Sequence, residues 1–464
     1  MTAKGPVGED AIAAGWAWLA TLPRAATAHT ERGDDPLAAV RGLLAELDHP
    51  QRGLRVIHIA GSKGKGSTAL YVESLLEALD LRTFTFTSPH LERWTERLRL
   101  NGAEAPPDRA LGALHAVRDA SHRCGIVPGF FEALTVAGLW LAAAERVDWC
   151  VIECGIGGRA DATNIVEPAA TIITGIEREH MDRLGHRLTD IAREKAGIVK
   201  PGAPLVAPRL APELDAILAS KSDAAGVPFL RVEQLTQPPA GAGAAGTDLA
   251  QWYYDRDGLI AAGAGWQLQA SLAAPGTHMA GNAVLALASL NALGLVARGQ
   301  MNHIATVLAR TPLPGRMETV SERPWIIVDG AHTGASASAL TRTIATLGAR
   351  RLHLLLSCSA GKDLDAVLSP LLAEAAAVTV TRADPDWSLP AEALAEQVRA
   401  HQGQFAVEVI ESPHEALAHA CMDVPEGTLI LATGSVYLAG AVRAHFPRDP
   451  SRHADLPESR HQGI

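Results

Sequence analysis

Short apolar runs alternate with stretches of helical spacing along most of the chain. Residues 55–60 (RVIHIA) form a run that stops at Gly61, and residues 67–79 follow with helical spacing. Residues 82–86, 148–153 (DWCVIE) and 170–175 (ATIITG) read as further buried strands, and residues 188–198 as a helix. A second series opens with the strand 325–329 (WIIVD) and the helix 335–347. It continues with strands at 352–357 (LHLLLS), 376–382 and 429–433 (LILAT). Strands alternating with helices predict parallel sheets covered on both faces.

The two series divide near residues 298–314. The expected fold class is therefore α/β with two domains, a larger one over 1–299 and a smaller one over 300–446. Residues 237–247 (QPPAGAGAAGT) have no apolar period and read as a surface loop. Residues 447–464, rich in Pro, His, Arg and Ser, read as a disordered tail. The longest membrane candidate, residues 133–144, is bounded by Glu132 and Glu145. At roughly 12 residues it is too short to span a bilayer.

Composition narrows the function classes. Lys and Arg total 41 against 51 Asp and Glu, so the formal net charge of −10 disfavours nonspecific nucleic-acid binding. Aromatic residues are only 4%, so aliphatic side chains and alanine must fill the cores. The five cysteines (Cys124, Cys150, Cys154, Cys358, Cys421) show no CxxC spacing and make no disulfide framework. The start, MTAKGPVGEDA, is not that of a signal peptide. The expectation is a cytoplasmic protein with no membrane and no nucleic-acid partner.

The clearest motif is Gly61-Ser62-Lys63-Gly64-Lys65-Gly66-Ser67-Thr68, between a strand and a helix. Glycines let backbone N–H groups converge on phosphate oxygens, and the helix N-terminus adds partial positive charge. Lys65 can reach a β- or γ-phosphate. Gly66 stands where Ser or Thr normally follows the lysine directly. This motif alone fits a nucleotide enzyme or a nucleotide switch. Ser88, Glu153 and His180 each lie at or just beyond a strand end. In a parallel sheet they would gather at the carboxyl edge beside the loop, offering oxygen and imidazole ligands to a divalent ion on ATP phosphates. On composition alone Lys195 reads as a surface lysine of its helix.

From about Arg52 to Arg443 the chain resembles the folylpolyglutamate synthase/dihydrofolate synthase family, a branch of the Mur ligase group. The resemblance rests on GSKGKGST at 61–68, TSPHLERWTERLRLNG at 87–102, FFEALT at 130–135 and ECGIGGRADATN at 153–164. It continues through His180 with the following LG, REKAGIVKPG at 193–202, PGR at 314–316, DGAHT at 329–333, GKDLD at 361–365 and TGS at 433–435. It implies an ATP-binding domain with a mainly parallel sheet, then a smaller Rossmann-like α/β domain, with the active site in the cleft between them. It implies that ATP converts a folate or dihydropteroate carboxylate into an acyl phosphate. The amine of L-glutamate then attacks, releasing ADP and phosphate.

The same resemblance assigns roles. Lys65 and the loop from Gly61 through Ser62, Lys63, Gly64 and Gly66 to Ser67 hold the phosphates. Ser88, Glu153 and His180 match magnesium ligands, and Lys195 matches a lysine carried as a carbamate that holds a second Mg²⁺. Lys65, Lys195 and His180 are the expected catalytic residues, and a potassium ion is admitted among the cofactors. Asn282, Arg316 and Asp329 match nucleotide contacts. Phe131 and Asp161 match the pterin region, and His332 and Ser435 the glutamate site. A monomer is implied. The chain departs from bacterial members at Ser62-Lys63, Thr333 and Met279, which leaves open a paralogue acting on a different acid.

Overall fold

The structure, a computed structural model, describes residues 7–23, 35–239, 248–401, 403 and 405–446. The tail expected at 447–464 and most of the loop expected at 237–247 lie outside the described residues. The chain forms two units that meet in sequence between Pro314 and Gly315.

The first unit is built on an eleven-stranded sheet. In chain order its strands are β1 (Val56–Ala60), β2 (Thr83–Phe86), β3 (Leu98–Leu100), β4 (Ala103–Glu104), β5 (Trp149–Glu153) and β6 (Pro168–Ile173). They continue with β7 (Leu205–Pro208), β8 (Phe229–Gln234), β9 (Leu249–Asp255), β10 (Gly258–Gly263) and β11 (Trp266–Ala270). The spatial order is β11-β10-β9-β8-β7-β6-β1-β5-β2-β3-β4. β1 lies between parallel partners β5 and β6, and all five of its residues are buried. That is why it reads as a continuous apolar run rather than an alternating one. The two edges are antiparallel. At one, Asn101 (φ 48°) and Gly102 (φ 72°) turn β3 into β4. An Asn-Gly pair suits this two-residue turn because both positions require left-handed backbone. At the other, β9, β10 and β11 form a meander.

The apolar run at 133–144 lies in a helix, Phe130–Ala144, packed against the helices Pro107–Cys124 and Ala38–Glu46. It is core, and among the described residues no helix is long and apolar enough to cross a membrane. The helix Lys65–Glu77, which leaves the end of β1, packs on the helix Thr277–Ala292.

The second unit has six strands, β12 (Glu318–Glu322), β13 (Trp325–Val328), β14 (Arg351–Leu356), β15 (Ala377–Val380), β16 (Ala406–Val409) and β17 (Thr428–Thr433). Their order is β12-β13-β17-β14-β15-β16, parallel except for β12. All six residues of the central β17 are buried.

The expected domain limit at 299/300 moves to 314/315. The helix Met301–Leu308 buries Met301, Ile304, Val307 and Leu308, and it packs against β11 and the helix Lys65–Glu77 of the first unit. Its amphipathic face ties it to what precedes it, and the chain becomes free to start a new core only after Pro314.

Candidate active site

The phosphate loop is shaped by close backbone approach. Gly64 adopts φ 83° and starts the helix at Lys65, two residues before the sequence pattern suggests. A Cβ on Gly64 would lie 2.3 Å from Asn282 Oδ1, and one on Gly61 would lie 1.9 Å from Thr174 Oγ1. Only glycine fits either place. Asn282, buried in the helix Thr277–Ala292, therefore backs the loop directly. The strand expected at 170–175 ends at Ile173 because the next two residues hold the loop. Thr174 N–H donates to the Ala60 carbonyl, and Ser62 N–H donates to the Gly175 carbonyl (both 2.9 Å). Ser62 Oγ accepts from Glu177 N–H (2.9 Å) and donates to its carbonyl (3.2 Å). The Ser62 side chain thus braces the loop.

Two lysines meet at one atom. Lys65 Nζ and Lys195 Nζ both donate to the Gly61 carbonyl, each at 2.9 Å. Lys195 is 1% exposed and pairs with Glu179 Oε1 at 2.6 Å. The surface lysine read from composition is in fact one of the largest fully buried side chains of the protein. Burial lowers its pKa, and the Lys65 charge lowers it further, against the pull of Glu179. Burial alone would raise Glu179, yet the Lys195, Lys65 and Lys63 charges hold it below the ordinary carboxylate value. Sequence reasoning missed Glu179. Its signal is a carboxylate next to the expected ligand His180, in the segment that leaves β6.

Ser88 and Glu153 are brought together, with Ser88 N–H donating to Glu153 Oε2 at 2.8 Å. Glu153 is 3% exposed and faces the start of the loop helix, since a Cβ on Gly66 would lie 3.4 Å from its Oε2. A buried carboxylate and a nearby hydroxyl beside a phosphate loop are hard oxygen donors that fit Mg²⁺ once phosphate oxygens complete the set. His180 is exposed, in left-handed backbone (φ 45°) ahead of the short helix Met181–Leu184. Among the described residues no three His, Cys, Asp or Glu side chains form a ready metal centre.

Phe131 packs on Phe86 (ring centroids 5.6 Å apart), and its ring lies over Gly155, where a Cβ would come within 2.7 Å. Asp161 is committed to its own loop. Its Oδ2 accepts Gly155 N–H (3.0 Å) and Ile156 N–H (2.9 Å), and its Oδ1 accepts Thr163 N–H (3.0 Å) and Thr163 Oγ (2.5 Å). The expected substrate contact is thus first a brace for the turn after Glu153.

In the second unit the candidates gather where β13 and β17 end. Asp329 accepts Met317 N–H (2.9 Å) and Ala331 N–H (2.8 Å), which fixes Met317 in left-handed backbone (φ 47°). Arg316 Nη1 donates to the Gly315 carbonyl and covers Gly330, where a Cβ would lie 2.5 Å from it. His332 Nδ1 donates to the Gly330 carbonyl (2.8 Å), which places its proton on Nδ1 in the neutral ring. Ser435, 2% exposed, caps the helix Val436–Ala444 by accepting Tyr437 N–H (3.1 Å). Gly434 N–H donates to the Ala331 carbonyl (3.0 Å) and joins the two strand ends.

Comparison with known proteins gives this arrangement its context. Residues 59–290 match the Mur ligase middle domain, and residues 315–436 match the Mur ligase glutamate ligase domain. A folylpolyglutamate synthase of Lacticaseibacillus casei is 31% identical over 439 residues, covering 92% of this chain and 96% of the relative. A dihydrofolate synthase/folylpolyglutamate synthase of Mycobacterium tuberculosis is 33% identical over 455 residues, covering 90% of this chain and 91% of the relative. A Mycobacterium tuberculosis folylpolyglutamate synthase structure in complex with ADP superposes with TM-score 0.82 at 30% identity, covering 96% of this chain and all of that one. A bifunctional folylpolyglutamate synthase/dihydrofolate synthase structure with Mn, AMPPNP and L-glutamate bound superposes with TM-score 0.77 at 26% identity, over 94% and 97% of the two chains. With both domain matches in register and two relatives matched nearly end to end, this chain belongs to the folylpolyglutamate synthase/dihydrofolate synthase family of Mur ligases.

Proposed function

We propose that this protein joins L-glutamate to the carboxylate of a folate or of dihydropteroate, using ATP. The observation that carries the reading is the convergence of Lys65, Lys195, Ser88 and Glu153 on one loop–helix start. A carboxylate is a poor acyl donor. Transfer of the γ-phosphoryl to a carboxylate oxygen makes an acyl phosphate and releases ADP. The amine of glutamate then attacks the acyl carbon, the C–O bond to phosphate breaks, and the amine proton leaves to solvent. Lys65 and the loop N–H groups hold the phosphates as negative charge shifts toward ADP. Glu153 and the Ser88 hydroxyl would hold Mg²⁺, with His180 as a further ligand, and the ion supplies Lewis-acid charge neutralisation on the phosphates. Phe131 and the loop braced by Asp161 serve the pterin side. Asn282, Arg316 and Asp329 serve the nucleotide side, and His332 and Ser435 the glutamate side.

Lys195 takes up CO₂ in this reading. Burial and the Lys65 charge favour its neutral amine, the form that adds CO₂ to give a carbamate and a proton. The product would be an anion beside Glu179, so the 2.6 Å ion pair belongs to the unmodified lysine. Carbon-13 NMR of the protein in labelled bicarbonate should show one carbamate resonance that Lys195→Arg removes.

The deciding experiment is mass spectrometry of the products after incubation with ATP, Mg²⁺, L-glutamate and either folates or dihydropteroate. The expected result is an ATP-dependent gain of one or more glutamyl residues with matching ADP release. ADP release and product formation only with some other carboxylic acid would assign the chain a different substrate.

A further inference from the structure

The mechanism leaves one buried polar cluster unexplained, directly beneath the acid-side loop. His58 sits in the middle of β1, in register with Ile152 on β5 and Thr171 on β6, and is fully buried. Its Nε2 lies 2.9 Å from Thr163 Oγ and 3.2 Å from Cys154 Sγ. Thr163 and Cys154 are also fully buried.

Proton counting orders the cluster. Thr163 has one hydroxyl proton, and its shortest contact is 2.5 Å to Asp161 Oδ1, so the proton goes to that carboxylate. Thr163 Oγ must then accept from His58, which puts the imidazole proton on Nε2. The other ring nitrogen, Nδ1, is buried with no partner. That fits a bare lone pair, which is less costly to bury unpaired than an N–H. Burial lowers the His58 pKa to about 3, with the Lys200 charge adding to the effect, so the ring keeps this neutral form at working pH.

The chain of bonds therefore runs from His58 to Thr163, to Asp161, to the N–H groups of Gly155 and Ile156. Those amides begin two residues after Glu153, and Gly155 is the floor under the Phe131 ring. β1 also ends in the phosphate loop three residues past His58. One strand thus anchors both sides of the first half-reaction.

We propose that His58 is a positioning residue, which fixes the loop 154–163 for the carboxylic acid substrate through its Nε2 hydrogen bond to Thr163 and, through Thr163, Asp161. The kinetic part rests on the function proposed above, whereas the loop-ordering part does not. Three variants test it. His58→Leu removes the donor, His58→Gln keeps an N–H near the Nε2 place, and Thr163→Val removes the relay with little change of volume. Amide hydrogen exchange should be read at residues 155–163, with KM values for acid, ATP and glutamate. His58→Leu and Thr163→Val should each speed exchange of the Gly155 and Ile156 amides and raise the acid KM about tenfold, with the ATP KM unchanged. His58→Gln should restore both readouts toward wild type, and the double variant should be no worse than either single one.

Wild-type exchange and acid KM in His58→Leu would overturn the proposal. So would additive losses in the double variant, or a joint rise of the acid and ATP KM values that glutamine does not rescue. Should the wild-type protein act on no folate or pteroate, the exchange readout still decides the positioning role while the proposed substrate fails.

Discussion

At the phosphate loop of the first unit, charged side chains are buried against one another. Lys195 at 1% exposure pairs with Glu179, and both lysines share the Gly61 carbonyl. At the sheet edge of the second unit, the candidate side chains instead bond to the backbone that carries them. His332 holds the Gly330 carbonyl, Asp329 holds two N–H groups, and Ser435 caps a helix. Buried charge is costly unless paired, and it responds strongly to a new charge such as a phosphate. Hydrogen bonds to backbone shape a surface but store little electrostatic energy. On the function proposed above, the first edge would serve phosphoryl transfer and the second would hold a substrate in a fixed pose.

The comparison breaks first at Lys65. Lys65→Ala should lower ATP-dependent turnover by about 10²–10³-fold, on the scale of losing one preorganised donor to developing negative charge. A variant within about threefold of wild type would remove Lys65 from the mechanism.

Next comes Glu179. In CO₂-free buffer, Glu179→Gln leaves a buried ammonium without its partner and should cost about 3 kcal/mol in urea unfolding. With bicarbonate the loss should shrink, because a carbamate on Lys195 no longer needs a carboxylate beside it. An equal loss in both buffers would argue that Lys195 stays an ammonium.

The far end of the helix Lys65–Glu77 extends the contrast to pH. Burial and the neighbouring Glu73 charge raise Glu77 to about 7 from an ordinary 4.5, with Thr83 and Arg99 opposing. At Glu77 the folded state then binds more protons than the unfolded chain between these values. The Glu77 contribution to stability should fall as pH rises from about 4.5 to about 7, by about 2 kcal/mol after discounting for partial exposure, while the buried His58 contributes in the opposite sense. Glu77→Gln should remove the Glu77 contribution, read as the pH dependence of the stability difference from wild type.

On the second unit the effects should be smaller and of a different kind. His332→Ala should raise the glutamate KM about tenfold. Acyl-phosphate formation, followed by isotope exchange without glutamate, should persist. Loss of that half-reaction with an unchanged glutamate KM would move His332 to the ATP side. Ser435→Ala should cost about 1 kcal/mol through the lost helix cap. Hydrogen exchange should show the loss in residues 428–444, with the phosphate loop unaffected.

Much of this was legible in the chain because it is local. β1 and its loop, Glu153 at the end of β5, and the β13 and β17 edges all appear as apolar runs ending in glycine or polar residues within a few positions. Element ends shifted where a tertiary partner intervened, as at Thr174 and Gly175, which leave β6 to brace the loop. Asp161 was legible as important, but its use as a brace was not, since that depends on where a turn brings the N–H groups of Gly155 and Ile156.

Sequence by itself determined the alternation of strands and helices, the glycine-rich loop between the first strand and its helix, and the set of motifs that marks the family. These are encoded in neighbouring residues and in the steric limits of the backbone. Only the tertiary structure decided protonation, burial and pairing. Lys195 meets a carbonyl 134 residues away, and His58 meets a hydroxyl 105 residues away. The helix Met301–Leu308 joins the first unit because its apolar face packs there. A lysine in water is a solvated cation. The same lysine, sealed beside Glu179 and Lys65, has its pKa lowered by burial and by the Lys65 charge, against the pull of Glu179, in a field that exists only once the strands are assembled.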